Sequence, residues 1–151
     1  SITFVIVGDA GTERDPDKRW FHALLAPYKD RVRLFDHRLS HEEYHRAIAD
    51  ADAVLPLLHP GTAEYDDFLT DKCSGAFTLA WTYGKPLFLE DGFRRFTGLQ
   101  RGARFYRTAE IASVLTLYGT DEGEYAKVCA ESAVQNHHEQ LRRNGTLAAL
   151  S

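Results

Sequence analysis

The chain has 151 residues, a net charge of −4, 44% hydrophobic and 26% charged residues, which is the composition of a single globular domain. This balance argues against a duplex nucleic-acid binder, which would carry a basic stripe, and no apolar run approaches the roughly 18 residues of a membrane span. Cys73 and Cys129 are too few for a disulfide framework and favour a reducing compartment.

The first predicted strand and helix lie within the first 28 residues. The run from Ile2 to Gly8 is almost continuously apolar and rich in β-branched residues, which predicts a strand buried on both faces. Asp15 followed by Pro16 predicts the start of a helix. This helix carries an apolar stripe, which we expect to face the core, at Trp20, Phe21, Leu24, Leu25 and Tyr28.

The next segment predicts a strand, a capped helix and a third strand. Val32 to His37 has strand character, and Ser40 with Glu43 forms a capping box in which each residue satisfies an amide of the other. Ala53 to Leu58 predicts the third strand. Pro56 makes that strand irregular, because proline cannot donate to a β-ladder.

A long loop and a strand–helix pair follow. His59 to Thr70 is long for a connection in an α/β protein, and such loops are often functional. The pattern then predicts a helix from Asp71 to Tyr83 ended by Gly84, and a strand from Pro86 to Glu90. The segment between that strand and the next one is predicted to be loop.

The last third predicts one more strand and two helices. Ala103 to Arg107 is a short strand, Thr108 is expected to cap the helix after it, and Asp121 with Glu124 resembles a second capping box. The final helix is expected to end near Asn144. Alternating strands and helices predict a doubly wound α/β fold with a mainly parallel sheet of about five strands and helices on both faces.

In such a fold, ligands bind outside the carboxyl ends of the strands. Four segments form that edge in this sequence: Gly8 to Thr12, His37 to Ser40, His59 to Thr70, and Asp91 to Phe96. The helix expected at Asp71 points its N-terminus toward the same edge. Free amides and the positive end of the helix dipole favour phosphate there, Lys72 adds a positive charge, and Ser74 with Gly75 allows close backbone approach.

Three histidines raise the alternative of a metal site. His41 and His45 are four residues apart on a predicted helix, a spacing that metals accept, and His59 is a third candidate. His41 lies in the first turn of that predicted helix, and we expect no metal site.

The order of these segments resembles a known family. A strand ending VIVGD, a strand VRLFDH, the segment AIADADAVLPL and the unit SGAFTLAWTYGKPLFLE are similar in order to the C-terminal, nucleotide-sugar-binding half of GT-B glycosyltransferases of the retaining, glycogen-synthase-like kind. The resemblance covers about Ile2 to Leu89. It implies a Rossmann-like donor-binding domain that takes a nucleoside diphosphate sugar, needs no metal or cofactor, and serves transfer of a hexose to a glycan or lipid acceptor.

The resemblance also implies residue roles. Asp71 and Lys72 stand at catalytic positions, with the carboxylate on sugar hydroxyls and the ammonium on the diphosphate. The donor-binding set adds residues from the strand ends and the helix start, namely Gly8, Asp9, His37, Arg38, Ser74 and Gly75. A cytoplasmic protein, with peripheral membrane association as an alternative, fits a family that acts on glycan or lipid acceptors.

Two departures leave a second hypothesis open. The family usually has two glutamates flanking this helix, and Leu79 stands at the second position, where it cannot hydrogen-bond a ribose. The first strand–helix unit and the acceptor-binding N-terminal domain of the family have no counterpart in the chain, so turnover would need that domain or a partner chain. The alternative is a non-catalytic, degenerate transferase-like module that binds a partner, including a second copy of itself.

Overall fold

The structure is a computed structural model that describes residues 2–8, 14–62, 65–70, 72 and 74–148, with the backbone alone for residues 135 and 137–148. The chain divides into two compact units, residues 1–50 and residues 51–151. Each unit contains a pair of parallel strands together with helices. The α/β class predicted from the alternating pattern is therefore confirmed.

The first unit is built on very short strands. β1 (Phe4–Val5) pairs in parallel with β2 (Val32–Arg33), with Phe4 opposite Val32. The helix α1 (Arg19–Leu25) continues into a 3₁₀ turn (Ala26–Tyr28). The helix α2 (His41–Asp50) completes the unit.

The two predicted helix starts of this unit have different outcomes. At α2 the capping box is confirmed, since the Ser40 amide donates to Glu43 Oε2 at 2.8 Å and the Glu43 amide donates to Ser40 Oγ at 3.2 Å. The helix expected at Asp15 begins instead at Arg19. The Asp15 carboxylate accepts the Asp17 amide at 3.0 Å and so caps a turn that precedes the helix.

The apolar stripe of α1 is exposed, which corrects the expectation that it faces the core. Trp20 is 67% exposed, Leu24 61% and Tyr28 58%, while Phe21 is half-buried. The physical reason is the size of the sheet: strands of two residues present too little apolar surface within this unit to cover a helix.

The second unit contains a larger parallel pair. β3 (Leu87–Glu90) pairs with β4 (Ala103–Tyr106) over four residues, from Leu87 opposite Ala103 to Glu90 opposite Tyr106. Val54 adds a parallel bridge to Leu87 on the other side of β3. The described part of this unit contains four α-helices: α3 (Tyr65–Thr70), α4 (Gly75–Thr82), α5 (Ile111–Thr120) and α6 (Glu122–Ala148).

Several predicted boundaries of this unit change. The predicted loop between residues 59 and 70 contains α3, and α4 begins at Gly75, so that Lys72 precedes the helix and does not share a helix face with Leu79. Thr108 begins a 3₁₀ turn ahead of α5 and does not cap that helix. The final helix runs past Asn144 to Ala148.

The core of the second unit surrounds β3, whose four residues are all buried. Phe93 follows β3, is 1% exposed, and meets the rings of Tyr65 and Phe77 edge to face at centroid distances of 5.8 and 5.6 Å. Where α6 crosses β4, a Cβ on Gly102 would lie 2.6 Å from Ser132 Cα, so the contact requires glycine. None of the described helices combines the length and the apolar character needed to cross a bilayer.

Candidate functional site

The carboxyl ends of β3 and β4 place polar side chains at one edge of the second unit. β3 ends at Glu90 and β4 ends at Tyr106, and these two residues are direct neighbours across the parallel pair. Directly paired residues project to the same face of a sheet. A carboxylate and a phenol therefore lie side by side at the edge where α/β proteins bind ligands.

Glu90 is a buried carboxylate held by two donors. The Tyr65 hydroxyl and the Gly92 amide both donate to Oε2 of Glu90, the amide at 2.8 Å. Tyr65 and Glu90 are each 8% exposed. Burial, followed by the hydrogen bond to Glu90 and the charge of that carboxylate, raises the pKa of Tyr65 well above its ordinary value. Tyr65 therefore remains a neutral donor at physiological pH.

A second polar chain joins His59 to β4. The Tyr106 hydroxyl lies 3.0 Å from His59 Nε2, and His59 Nδ1 lies 3.2 Å from Thr108 Oγ1. Burial and the nearby charge of Glu90 raise the pKa of Tyr106 to about 12. Tyr106 therefore keeps its proton and can donate to Nε2; an imidazole that accepts this bond carries its proton on Nδ1, facing Thr108.

Lys72 lies between α3 and α4 and pairs with α3. Its Nζ is 2.7 Å from Asp67 Oδ2, its amide donates to the Asp67 carbonyl at 2.9 Å, and its ammonium lies 5.9 Å from the centre of the Phe68 ring. The side chains of Lys72 and Asp67 are 50% and 55% exposed. An ion pair so exposed is weak, and an incoming anion can replace the carboxylate.

The N-terminus of α4 is capped by Ser74. The Ser74 hydroxyl accepts the Ala76 amide at 3.3 Å, and the Ser74 carbonyl accepts the Phe77 amide at 3.0 Å. A Cβ on Gly75 would meet no atom of the described residues within 4 Å, and Gly75 is exposed. Ser74 thus satisfies the amides of Ala76 and Phe77, and the first residue of the helix is accessible.

The turn after β3 contains Arg94 and Arg95, and both side chains contact neighbouring residues. Arg94 Nε pairs with Asp91 Oδ1 at 2.8 Å, and its guanidinium lies over the Phe105 ring at 4.8 Å. Arg95 donates to the Leu69 carbonyl of α3. Arg95 therefore links α3 to the same strand end that Tyr65 contacts.

The remaining predicted site residues belong to the first unit. Gly8 follows β1 without a positive φ, and a Cβ there would meet no atom of the described residues within 4 Å, so their geometry does not require glycine at this position. Arg38 is exposed. Asp9, like Asp71 of the second unit, lies outside the described residues.

His37 is bound by two carboxylates in front of α2. Its Nδ1 lies 2.9 Å from Asp36 Oδ1 and its Nε2 lies 3.3 Å from Glu43 Oε1. These two hydrogen bonds raise the pKa of His37, and the bond to His37 lowers the pKa of Asp36. Hydrogen bonds with Ser40, and then with His37, lower the pKa of Glu43 to about 2. His37 therefore supports the capping box of α2.

The candidate metal ligands do not gather. The rings of His41 and His45 stack at 4.1 Å on α2, whereas His59 is engaged with Tyr106 and Thr108. Among the described residues, no three His, Cys, Asp or Glu side chains are placed to hold a metal ion.

The sequence predicts that residues 59–70 and 91–96 lie at the carboxyl ends of the strands. It does not single out the buried polar residues found at or beside the ends of β3 and β4, namely Tyr65, Glu90 and Tyr106. A usable signal exists for Glu90, since the end of an apolar strand, two residues before a glycine, is an unusual place for a glutamate. Tyr65 carries no comparable signal, because its partner is 25 residues away.

Comparisons of this chain with protein-family models, with curated proteins and with solved structures find no match. The functional assignment therefore depends on the order of the sequence motifs and on the geometry described above.

Proposed function

We propose that this chain is the nucleotide-sugar-binding part of a retaining, metal-independent glycosyltransferase that moves a hexose from a nucleoside diphosphate sugar to a glycan or lipid acceptor. The observation that carries the proposal is the start of α4. Lys72 lies three residues before Gly75, the exposed first residue of a helix that Ser74 caps. A cation that precedes an accessible helix N-terminus so closely in the chain suits a diphosphate.

Each group has a distinct role in this proposal. Lys72 exchanges Asp67 for the diphosphate, because the existing ion pair is half-exposed and easily replaced. The Gly75 amide and the helix dipole add further stabilisation of the negative charge that develops on the leaving diphosphate. Asp71 takes hydroxyl groups of the donor sugar.

The proposal includes a wider architecture. The doubly wound, mainly parallel sheet of about five strands predicted from the sequence belongs to this proposal, as do the donor-binding roles of Gly8, Asp9, His37 and Arg38. Turnover requires an acceptor-binding domain, supplied by an N-terminal domain or a partner chain. The enzyme works in the cytoplasm, with its acceptor in solution or at a membrane surface.

Calorimetry with UDP, GDP and ADP tests donor binding. We expect at least one of them to bind. Lys72→Ala should weaken binding of that diphosphate by about tenfold and leave binding of the matching nucleoside almost unchanged, since only the phosphates contact the ammonium. Lys127→Ala, which removes an exposed lysine of α6, is the matched control. Absence of heat with all three diphosphates at millimolar concentration would contradict the proposal.

A non-catalytic partner-binding module is the second candidate, favoured by exposed apolar side chains. Trp20, Leu24 and Tyr28 are each more than half exposed on α1 and the turn that follows it, and such surface is typical of a contact area. Sedimentation of the chain with Trp20→Ser and Leu24→Ser tests self-association. Self-association that these changes abolish, in a chain that binds no diphosphate, favours this candidate.

A further inference from the structure

Two donors from separate positions in the chain meet at one carboxylate oxygen of the second unit. The Tyr65 hydroxyl and the Gly92 amide converge on Glu90 Oε2, and both side chains of the pair are buried. A buried carboxylate is costly unless hydrogen bonds replace its water, and bonds to a charged acceptor are the strong ones. Release of Tyr65 would remove one of the two donors to Oε2.

Gly92 provides the space for this arrangement. A Cβ at position 92 would overlap the Tyr65 hydroxyl and lie 2.9 Å from Glu90 Oε2. The Tyr65 ring also stands edge to face against Phe93, which is buried. The space that the Tyr65 side chain occupies therefore suits a tyrosine, because Glu90 accepts from its hydroxyl and Phe93 packs against its ring.

The helix α3 transmits the position of Tyr65 to Lys72. Tyr65 is the first residue of α3, and Asp67, two residues later, holds both the amide and the ammonium of Lys72. Arg95 adds a bond to the Leu69 carbonyl. A helix of six residues is far too short to be stable alone, so its docking contacts decide where Lys72 lies.

We propose that Tyr65, Glu90 and Gly92 form a lock, called the Tyr65 lock, that holds α3 on the carboxyl end of β3 and thereby sets the position of Lys72 beside the start of α4. Tyr65 and Glu90 are positioning residues in this assignment. The effect on ligand binding rests on the proposed function, whereas the effect on α3 does not.

Hydrogen exchange of the Tyr65→Phe variant tests the lock directly. The variant keeps the ring against Phe93 and removes only the hydroxyl, so we expect amide exchange in α3 and at Lys72 to accelerate by about tenfold or more. The amides of β3 and β4 should keep their protection. Tyr28→Phe removes a hydroxyl from an exposed tyrosine of the first unit and is the matched control.

Glu90→Gln provides a second, gentler variant. The side-chain carbonyl of glutamine can still accept from both donors but lacks the charge, so exchange in α3 should rise less than in Tyr65→Phe. If Tyr65→Phe does not fold, acceleration confined to α3 and Lys72 in Glu90→Gln supports the lock, and unchanged exchange in that variant overturns it.

Binding measurements test the coupling to Lys72. For whichever of UDP, GDP and ADP binds the wild-type chain, we expect Tyr65→Phe to weaken binding of the diphosphate more than binding of the matching nucleoside. The losses of Tyr65→Phe and Lys72→Ala should not add, because the first acts through the second. Additive losses would show that Tyr65 does not act through Lys72.

Other outcomes separate the lock from the proposed function. Equal acceleration of exchange in α3, β3 and β4 would mean that Tyr65 stabilises the whole unit and not α3 in particular. Unchanged exchange in α3 would mean that the hydrogen bond between Tyr65 and Glu90 does not hold this helix. Either result overturns the lock. If the wild-type chain binds no diphosphate, the proposed function fails, and exchange at the Lys72 amide still decides whether the lock positions that residue.

Discussion

The two units of this protein use the same α/β elements and differ in how much of them they bury. Of the 13 buried hydrophobic residues identified among the described residues, Ile48 belongs to residues 1–50 and the other 12 belong to residues 51–151. The large exposed hydrophobic residues show the reverse, because five of the eight described belong to the shorter unit. An apolar stripe thus predicts a helix in both units, whereas its burial depends on the sheet available to cover it.

The largest expected effect comes from removing a buried aromatic ring. Phe93→Ala should lower the free energy of unfolding by about 3–5 kcal/mol, because it empties a site packed against several rings. Trp20→Ala, which removes a larger but 67% exposed ring from the first unit, should cost less than about 1 kcal/mol. Urea unfolding followed by circular dichroism measures both changes. Equal losses of unfolding free energy in the two variants would contradict the difference in burial between the units.

Glycine substitutions sharpen the comparison at the contact between β4 and α6. Gly102 has φ +71 and faces the Ser132 backbone, so Gly102→Ala should cost roughly 2–4 kcal/mol from strain and overlap together. Gly61→Ala, at φ +90 with open space around it, should cost only the strain of about 1–2 kcal/mol.

Gly8 is the counterpart in the first unit. Gly8 has no positive φ, and an added Cβ would meet none of the described residues within 4 Å, so Gly8→Ala should stay within about 0.5 kcal/mol of the wild-type stability. Thermal unfolding of the three glycine variants gives the ranking. A loss at Gly8 as large as that at Gly102 would show that the first unit is packed as tightly as the second.

Ion pairs distinguish the units by a smaller amount. Arg104 Nη1 pairs with Glu131 Oε2 at 2.8 Å across β4 and α6, with side chains 19% and 38% exposed, and Arg104 also donates to the Tyr118 hydroxyl. Glu131→Gln should therefore cost about 1 kcal/mol. Glu42→Gln breaks the pair with Arg46 on α2, whose side chains are 80% and 66% exposed, and should cost at most about 0.5 kcal/mol. Denaturant titration at two salt concentrations compares the two variants.

The smallest effect concerns pH and the start of α2. The raised pKa of His37 stabilises the unit below the ordinary histidine value of 6.5 and stops doing so as the pH rises through the folded value. The lowered pKa of Glu43 stabilises it above the ordinary value of 4.5, and that contribution disappears as the pH falls toward about 2. We therefore expect the cap to be most stable between pH 4.5 and 6.5.

An NMR titration of the His37 ring follows this pH effect, and Glu43→Gln should move its midpoint toward lower pH because one partner loses its charge. A midpoint that does not move would show that the carboxylate of Glu43 does not stabilise the charged ring. The second unit has no equivalent histidine between two carboxylates among its described residues, so its stability should vary less across this window.

The sequence predicts local features well where the partners are close along the chain. The Ser40–Glu43 capping box, the parallel α/β class and the strand at the Gly84–Lys85–Pro86 turn depend on neighbouring residues, and each appears in the structure. The start of α4 was predicted four residues early, because Ser74 competes as a cap with Asp71 and pattern alone does not rank them.

The tertiary structure decided what depends on distant partners. The exposure of Trp20 follows from strands too short to cover α1, and the burial of Glu90 follows from a tyrosine 25 residues away and a glycine that leaves room for it. The sequence by itself therefore determined the α/β class, the capping box of Ser40 and Glu43, and the strand that ends at Glu90. Packing between segments that are distant in the chain decided which side chains are buried and which charged groups receive hydrogen bonds, because local sequence patterns carry no information about those contacts.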